Sequence, residues 1–187
     1  MSTAGVAGID LSLRRTAVVD TSGEPHLMLG PAVSDDDAQR SMERLDQLVR
    51  DIVAGALFSG RGPDVELVMI EWYSFGSSTK GLRSIAELGG AVRLALYHLR
   101  VPYLDVPPST LKKYATGNGQ AGKIEMVQAA SKRLGYDGHD DNEADALWLR
   151  ALGLDLLDEP VVALPAGNRK ALAGLRKIRP VLNRGAS

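Results

Sequence analysis

Polar and apolar positions from Val6 to Val19 read as a β-strand, a tight turn and a second strand folded back on the first. Ile9 and Leu11 fall on one side of the first strand and Asp10 on the other, because side chains alternate along a strand. Residues 24–29 predict a third antiparallel strand after a Thr21-Ser22-Gly23 turn. Ser34 followed by Asp35-Asp36-Asp37 marks a helix start, a hydroxyl cap with acids at the positive end of the dipole; the three acids read as a solvated helix terminus. Leu45, Leu48, Val49, Ile52 and Val53 then recur at helical spacing, and the helix fades near Ser59-Gly60. Gly62-Pro63 breaks the chain ahead of residues 65–71, an apolar run suited to a central strand that returns parallel to its predecessor and ends on Glu71.

The pattern changes period again over residues 80–99. Leu82, Ile85, Leu88, Val92, Leu96 and Leu99 make one helical stripe, and Gly89-Gly90-Ala91 leaves part of it small-faced. Core packing and a dimer contact would both use this stripe. Residues 102–106 predict the next strand, closed by Pro107-Pro108, with Ser109-Thr110 capping a short helix that carries Lys112 and Lys113. A glycine-rich turn over 117–122 leads to a helix from Lys123 to about Leu134. A last helix starts at Asp140 or Asp141 and runs to about Leu157.

The chain's 187 residues, 44% of them hydrophobic, suit one globular domain with a sizeable core, taken as residues 1–160, and a basic C-terminal tail, 161–187. From residue 168 onward the tail carries Arg169, Lys170, Arg176, Lys177, Arg179 and Arg184 with no acid; such a run is commonly solvated, and it can also hold nucleic acid. Cysteine is absent, which excludes disulfides, thiol catalysis and zinc-thiolate sites. With no apolar run of membrane-spanning length and no signal peptide, a cytoplasmic protein is expected. A net charge of -1 argues against a chain that is basic overall, but leaves room for a local basic face. Because there are only three histidines, a metal site would rest mainly on carboxylates, and hard oxygen ligands favour Mg²⁺ or Mn²⁺.

Three carboxylate positions stand out. Asp10 interrupts a nearly apolar strand, where a charge needs a metal, a cation or hydrogen bonds unless it lies at a solvated edge. Glu71 ends the central strand, at a position that can neighbour Asp10. Asp145 shares a helix face with Asn142 and Asp141, one turn earlier, beside the small residues Ala144 and Ala146. Such a layout can hold two divalent ions about 4 Å apart, one activating water and one stabilising the leaving oxygen, which suits phosphodiester hydrolysis. Trp72, Tyr73 and Phe75 follow Glu71 in a Gly-Ser-rich loop; these rings can stack on bases or plug the core edge.

Gly-Ile-Asp-Leu-Ser (8–12), Val-Met-Ile-Glu (68–71), the 107–123 segment Pro-Pro-Ser-Thr-Leu-Lys-Lys-Tyr-Ala-Thr-Gly-Asn-Gly-Gln-Ala-Gly-Lys and Asp-Asn-Glu-Ala-Asp-Ala-Leu (141–147) together resemble the RuvC-type Holliday-junction resolvases of the ribonuclease-H-like superfamily, more particularly their phage and actinobacterial branch. The resemblance spans residues 5–157. It implies an α/β fold with a mixed five-stranded sheet, antiparallel in its first three strands and parallel afterwards, flanked by helices. It implies a homodimer through the 80–99 helix and a branched-DNA endonuclease that leaves 5′-phosphate and 3′-hydroxyl ends. Forks and flaps are further substrates to consider. By the resemblance Asp10, Glu71 and Asp145 fall on three of the family's four metal-binding acids. The fourth falls on Asn142, so that either Asn142 serves as a neutral ligand or Asp141, and less readily Asp140, takes its place; Asp141 is favoured. Lys112 and Lys123 fall on lysines near the junction phosphates, Lys123 nearest the chemistry. Phe75, ahead of Trp72 and Tyr73, matches the ring inserted at the junction centre, and Lys80, Arg83 and Lys113 are counted with these as DNA contacts. Two other readings remain: a non-catalytic junction-binding protein on the same fold, and a fragment of a sugar kinase or actin-like ATPase, whose first phosphate motif the 8–19 stretch also resembles.

Overall fold

A computed structural model describes residues 4–30, 38–58, 64–72 and 79–177; for Ala38 and for 79–82 the description covers the backbone. Five strands form one sheet in the order β3-β2-β1-β4-β5. Strands β1 (Val6–Asp10), β2 (Arg15–Val19) and β3 (Pro25–Leu29) are an antiparallel meander. Beyond α1 (Ala38–Leu57), β4 (Leu67–Glu71) joins β1 in parallel; beyond α2 (Thr79–His98), β5 (Tyr103–Val106) joins β4 in parallel. The mixed sheet expected from the sequence is therefore present, with β1 and β4 at its centre, where their apolar runs are covered on both faces, and the parallel strand β5 at one edge.

Strand alternation sorts the sheet into two core layers. Ala7, Ile9, Val18, Val68, Ile70 and Tyr103 pack on α1 and α2 through Leu48, Ile52, Leu88, Val92 and Leu96. Val6, Leu67, Met69, Leu104 and Val106 pack on the other side, against α3 (Pro108–Thr116), α4 (Lys123–Leu134) and α5 (Asp141–Leu156). Asp10 shares its face with Val6, and Glu71 shares its face with Leu67 and Met69, so both carboxylates end strands on the α5 side.

Two helix starts differ in detail from the sequence reading. Helix α3 begins at Pro108 after an extended Pro107, which leaves Ser109 and Thr110 inside the first turn, with no side-chain cap. Proline suits the first helical position, having no N–H to leave unpaired and a φ already helical. Helix α1 begins at Ala38 among the described residues, and the Ser34 cap with Asp35–Asp37 lies outside them.

The chain after residue 160 packs back on the body as far as Lys177 is described. Leu172 and Leu175 in α7 (Leu172–Leu175) are buried in the α3–α5 core. From α6 (Ala166–Arg169), Arg169 Nε donates to the fully buried Asp155 at 3.0 Å, and Asn168 Nδ2 donates to the Tyr114 carbonyl at 2.9 Å. Arg179 and Arg184 lie outside the described residues. Among the described residues, no helix is long and apolar enough to cross a membrane.

Candidate active site

The site is assembled by the packing of α5 on β1. A Cβ on Gly8 would stand 2.2 Å from the Ala146 carbonyl oxygen and 2.8 Å from the Arg150 nitrogen, closer than any side chain allows. At the other end of α5, a Cβ on Gly153 would meet Met69 and Val6 at 2.6 Å. Glycine at both places lets the helix lie directly on the sheet. Since Gly8 precedes Asp10 by two residues and Ala146 follows Asp145, this contact brings the two carboxylates together.

Asp10 is 7% exposed, and its carboxyl shares a hydrogen bond with that of Glu71, one step beyond the paired Ile9 and Ile70. Burial pushes the Asp10 pKa well above the usual carboxylate range, and the nearby charges of Glu71 and Asp145 push it further. Burial also raises Glu71, while the hydrogen bond from Asp10 and the charge of Lys112 draw it back. Asp145 is raised to about 7, first by burial, then by Glu71 and Asp141, against the pull of Lys112 and Lys123. Its Oδ1 is a buried acceptor with no hydrogen-bond partner. Asp141 reaches the same cluster from one turn back: its charge acts on Asp10 and Asp145, and its carboxylate forms an ion pair with Lys123.

An all-oxygen donor set around an orphaned, buried carboxylate oxygen fits a hard divalent cation. Among the described residues, no three acidic or imidazole groups are drawn tightly round one point, and Asp10 and Glu71 share a hydrogen bond. The acids belong together by proximity, and an ion would complete them.

The residues on either side of Asp141 are occupied differently. Asp140 caps the helix, accepting from the Asn142 and Glu143 amides at 2.9 and 3.3 Å, and pairs with Arg15 at 2.5 Å. Asn142 Nδ2 donates to the Arg15 carbonyl at 2.9 Å.

No family model matches the chain. It is 30% identical over 153 residues to the crossover junction endodeoxyribonuclease RuvC of Parasynechococcus marenigrum (strain WH8102), across 79% of this chain and 96% of that relative. The chain belongs to the RuvC family. The corresponding protein of Synechococcus sp. (strain WH7803) is 29% identical over the same shares of both chains. Two solved structures of Thermus thermophilus RuvC match in fold. One, described simply as the RuvC structure, gives a TM-score of 0.59 at 22% identity, and the other, a complex with Holliday junction substrate, gives 0.62 at 19%. Each covers 95% of this chain and 99% of the solved one. The ribonuclease-H-like sheet of the RuvC proteins is thus the fold of this chain.

On this RuvC scaffold the remaining expected residues divide. Lys112, half-buried on α3, and Lys123, exposed at the start of α4, border the carboxylates closely enough to affect their charge. Lys113 is exposed in the last turn of α3. Arg83 is exposed and paired with Glu87 on its own helix at 3.2 Å. The Lys80 backbone lies in the first turn of α2. Trp72 projects to the α2 face, opposite Glu71 by strand alternation, and the Arg93 guanidinium sits 5.4 Å from its ring centre. Arg93 is in turn held by Asp105 on β5. Tyr73 and Phe75 lie outside the described residues. Sequence reasoning missed Gly8, Arg15 and Arg93. Gly8 carried a signal, a glycine inside an apolar strand; the two arginines had none, since their partners are distant in sequence.

Proposed function

We propose that this RuvC-family chain is a metal-dependent endodeoxyribonuclease that resolves Holliday junctions by phosphodiester hydrolysis. The observation that carries the proposal is that Asp10, Glu71 and Asp145, from β1, β4 and α5, with Asp141 one turn back, lie close enough to perturb one another's charge and are bordered by Lys112 and Lys123. These acids would hold the metal, two ions of Mg²⁺ or Mn²⁺. Held there, such ions would supply a lowered pKa for water and Lewis acidity toward the scissile phosphate.

The chain's own groups do the rest. Asp10 and Asp145, on which burial favours the proton, would have to give that proton up to hold a cation. Lys112 and Lys123 attract the junction phosphate to the rim and offset the charge that develops on it. Lys123 is kept protonated by Asp141, its hydrogen-bond partner. Lys113, Lys80 and Arg83 would add phosphate contacts further out, and Phe75, ahead of Tyr73, would stack on unstacked bases near the branch, Trp72 doing so only on leaving Arg93.

Symmetric incision of two strands requires two sites, which supports a two-fold dimer. Helix α2 supplies a face for it: Gly90, Leu94 and Tyr97 are exposed at helical spacing, and nothing lies within 4 Å of a Cβ built on Gly90. The reading extends to 5′-phosphate and 3′-hydroxyl products, to forks and flaps as further substrates, and to action in the cytoplasm. The phage and actinobacterial branch rests on the sequence resemblance alone, the relatives described above coming from Synechococcus and Parasynechococcus.

The test is a labelled four-way junction incubated with the protein and Mg²⁺, Mn²⁺ or Ca²⁺, beside Asp145→Asn. Paired symmetric nicks in Mg²⁺ or Mn²⁺, absent from the variant, are expected. Binding without cleavage in every metal would make the chain a junction-binding protein, and no binding would remove the reading altogether.

A further inference from the structure

We infer that Asn142 is a positioning residue that ties the β1–β2 hairpin to α5, and that Asp141 supplies the ligand displaced from position 142. The inference rests on the metal-dependent reading above and deepens it. It starts from a division of labour among three successive polar residues. Asp140 is spent on the helix cap and on Arg15. Asn142 Nδ2 donates to the Arg15 carbonyl, 127 residues away in sequence. Asp141, between them, acts electrostatically on Asp10 and Asp145 and pairs with Lys123.

A carbonyl oxygen only accepts, so the side chain facing it must donate, and asparagine does this where an isosteric aspartate cannot. An acid at 142 would bring a carboxylate against the Arg15 carbonyl and loosen the tie. The tie matters because of what the hairpin carries. Its turn is locked from within: the Thr16 hydroxyl donates to the Ser12 carbonyl at 2.6 Å and accepts from the Ser12 amide at 3.0 Å. Asp10 lies two residues before that turn, and Ala17 in β2 is its ladder partner. Holding Arg15 against the first turn of α5 therefore sets where Asp10 stands relative to Asp145. Two links between the same elements, Asn142 to the Arg15 carbonyl and Asp140 to the Arg15 guanidinium, make this a clasp rather than a chance surface contact.

The experiment measures Mn²⁺ binding by calorimetry, thermal stability and single-turnover junction cleavage for wild type, Asn142→Asp, Asn142→Ala and Asp141→Asn, below the melting temperature of each. Asp141→Asn is expected to lose tenfold or more in Mn²⁺ affinity. Asn142→Asp and Asn142→Ala are expected to melt lower, to gain no Mn²⁺ affinity, and to cleave at least threefold more slowly at saturating junction, since Asp10 is less well placed. Tighter Mn²⁺ binding or faster cleavage by Asn142→Asp would show that position 142 is a ligand site and overturn the inference. So would Asp141→Asn binding Mn²⁺ like the wild type, or position-142 variants that melt lower with cleavage rate unchanged. A wild type that neither binds Mn²⁺ nor cleaves would instead remove the metal-dependent reading, and this inference with it.

Discussion

Gly8 and Ala146 meet backbone to backbone, with 2.2 Å between the place a Cβ would take on Gly8 and the Ala146 carbonyl oxygen. No rotamer change relieves a clash between a strand and a helix backbone, so Gly8→Ala must push α5 off the sheet. A stability loss of about 3 kcal/mol is expected, at the upper end for overpacking. Junction cleavage should fall by on the order of 100-fold as Asp10 and Asp145 separate. Thermal melts and single-turnover cleavage of the variant measure the two effects.

Asp145, raised to about 7, makes the metal-free protein sensitive to pH. Its folded-state pKa lies above the unfolded value near 3.9, so the folded state holds the proton longer. The stabilising contribution is complete below about pH 4 and is lost as pH rises through about 7. In EDTA, wild type should lose melting temperature relative to Asp145→Asn between pH 4 and 8, with Asp145→Asn the more stable at pH 8. If the two melting curves stay parallel across that range, the site does not carry the strained charge described. The same titration predicts that Mn²⁺ binding weakens below pH 7, because protons compete for Asp145.

Lys123 sits on the rim with its ammonium against Asp141. Lys123→Ala is expected to slow cleavage of bound junction by on the order of 100-fold, as removal of one preorganised charge does. Lys113→Ala, on an exposed surface, should weaken binding and flatten its salt dependence with little change in the rate at saturation. Titrating junction at several salt concentrations separates the two.

Arg93 links Trp72 to Asp105 across α2, β4 and β5. Arg93→Leu strands a largely buried carboxylate and frees the ring, at an expected cost of about 2 kcal/mol. Trp148 is fully buried, so any gain in acrylamide quenching reports Trp72 alone.

Truncation after residue 160 removes Leu172, Leu175 and the arginine that pairs with the buried Asp155. The shortened chain should melt lower or fail to fold. A stable, active 1–160 fragment would show that the packed segment is dispensable.

Much of the fold was legible in the chain. The nearly apolar strand around Asp10 and the turns that follow it marked β1 to β3, a continuous apolar run marked the central β4, and 3.6-residue stripes marked α1 and α2, because each buries residues at a spacing its own backbone sets; α5, buried on most sides, was marked by the acids that open it. Asp10, Glu71 and Asp145 were legible as well, each being a carboxylate where an apolar face or a small-residue turn would otherwise continue. The segment after residue 160 was not. Its run of basic residues reads as solvated, and only the partner Asp155, placed by the packing of α5, makes Arg169 part of the body.

By itself, the sequence determined the sheet, the helices and the acids available for chemistry, since local periodicity and residue type need no knowledge of distant contacts. Only the tertiary structure decided how Asp140, Asp141 and Asn142 divide their tasks. All three stand on one helical turn with similar reach, and what separates them is the approach of Arg15 and Lys123, from β2 and α4, which no spacing along the chain records.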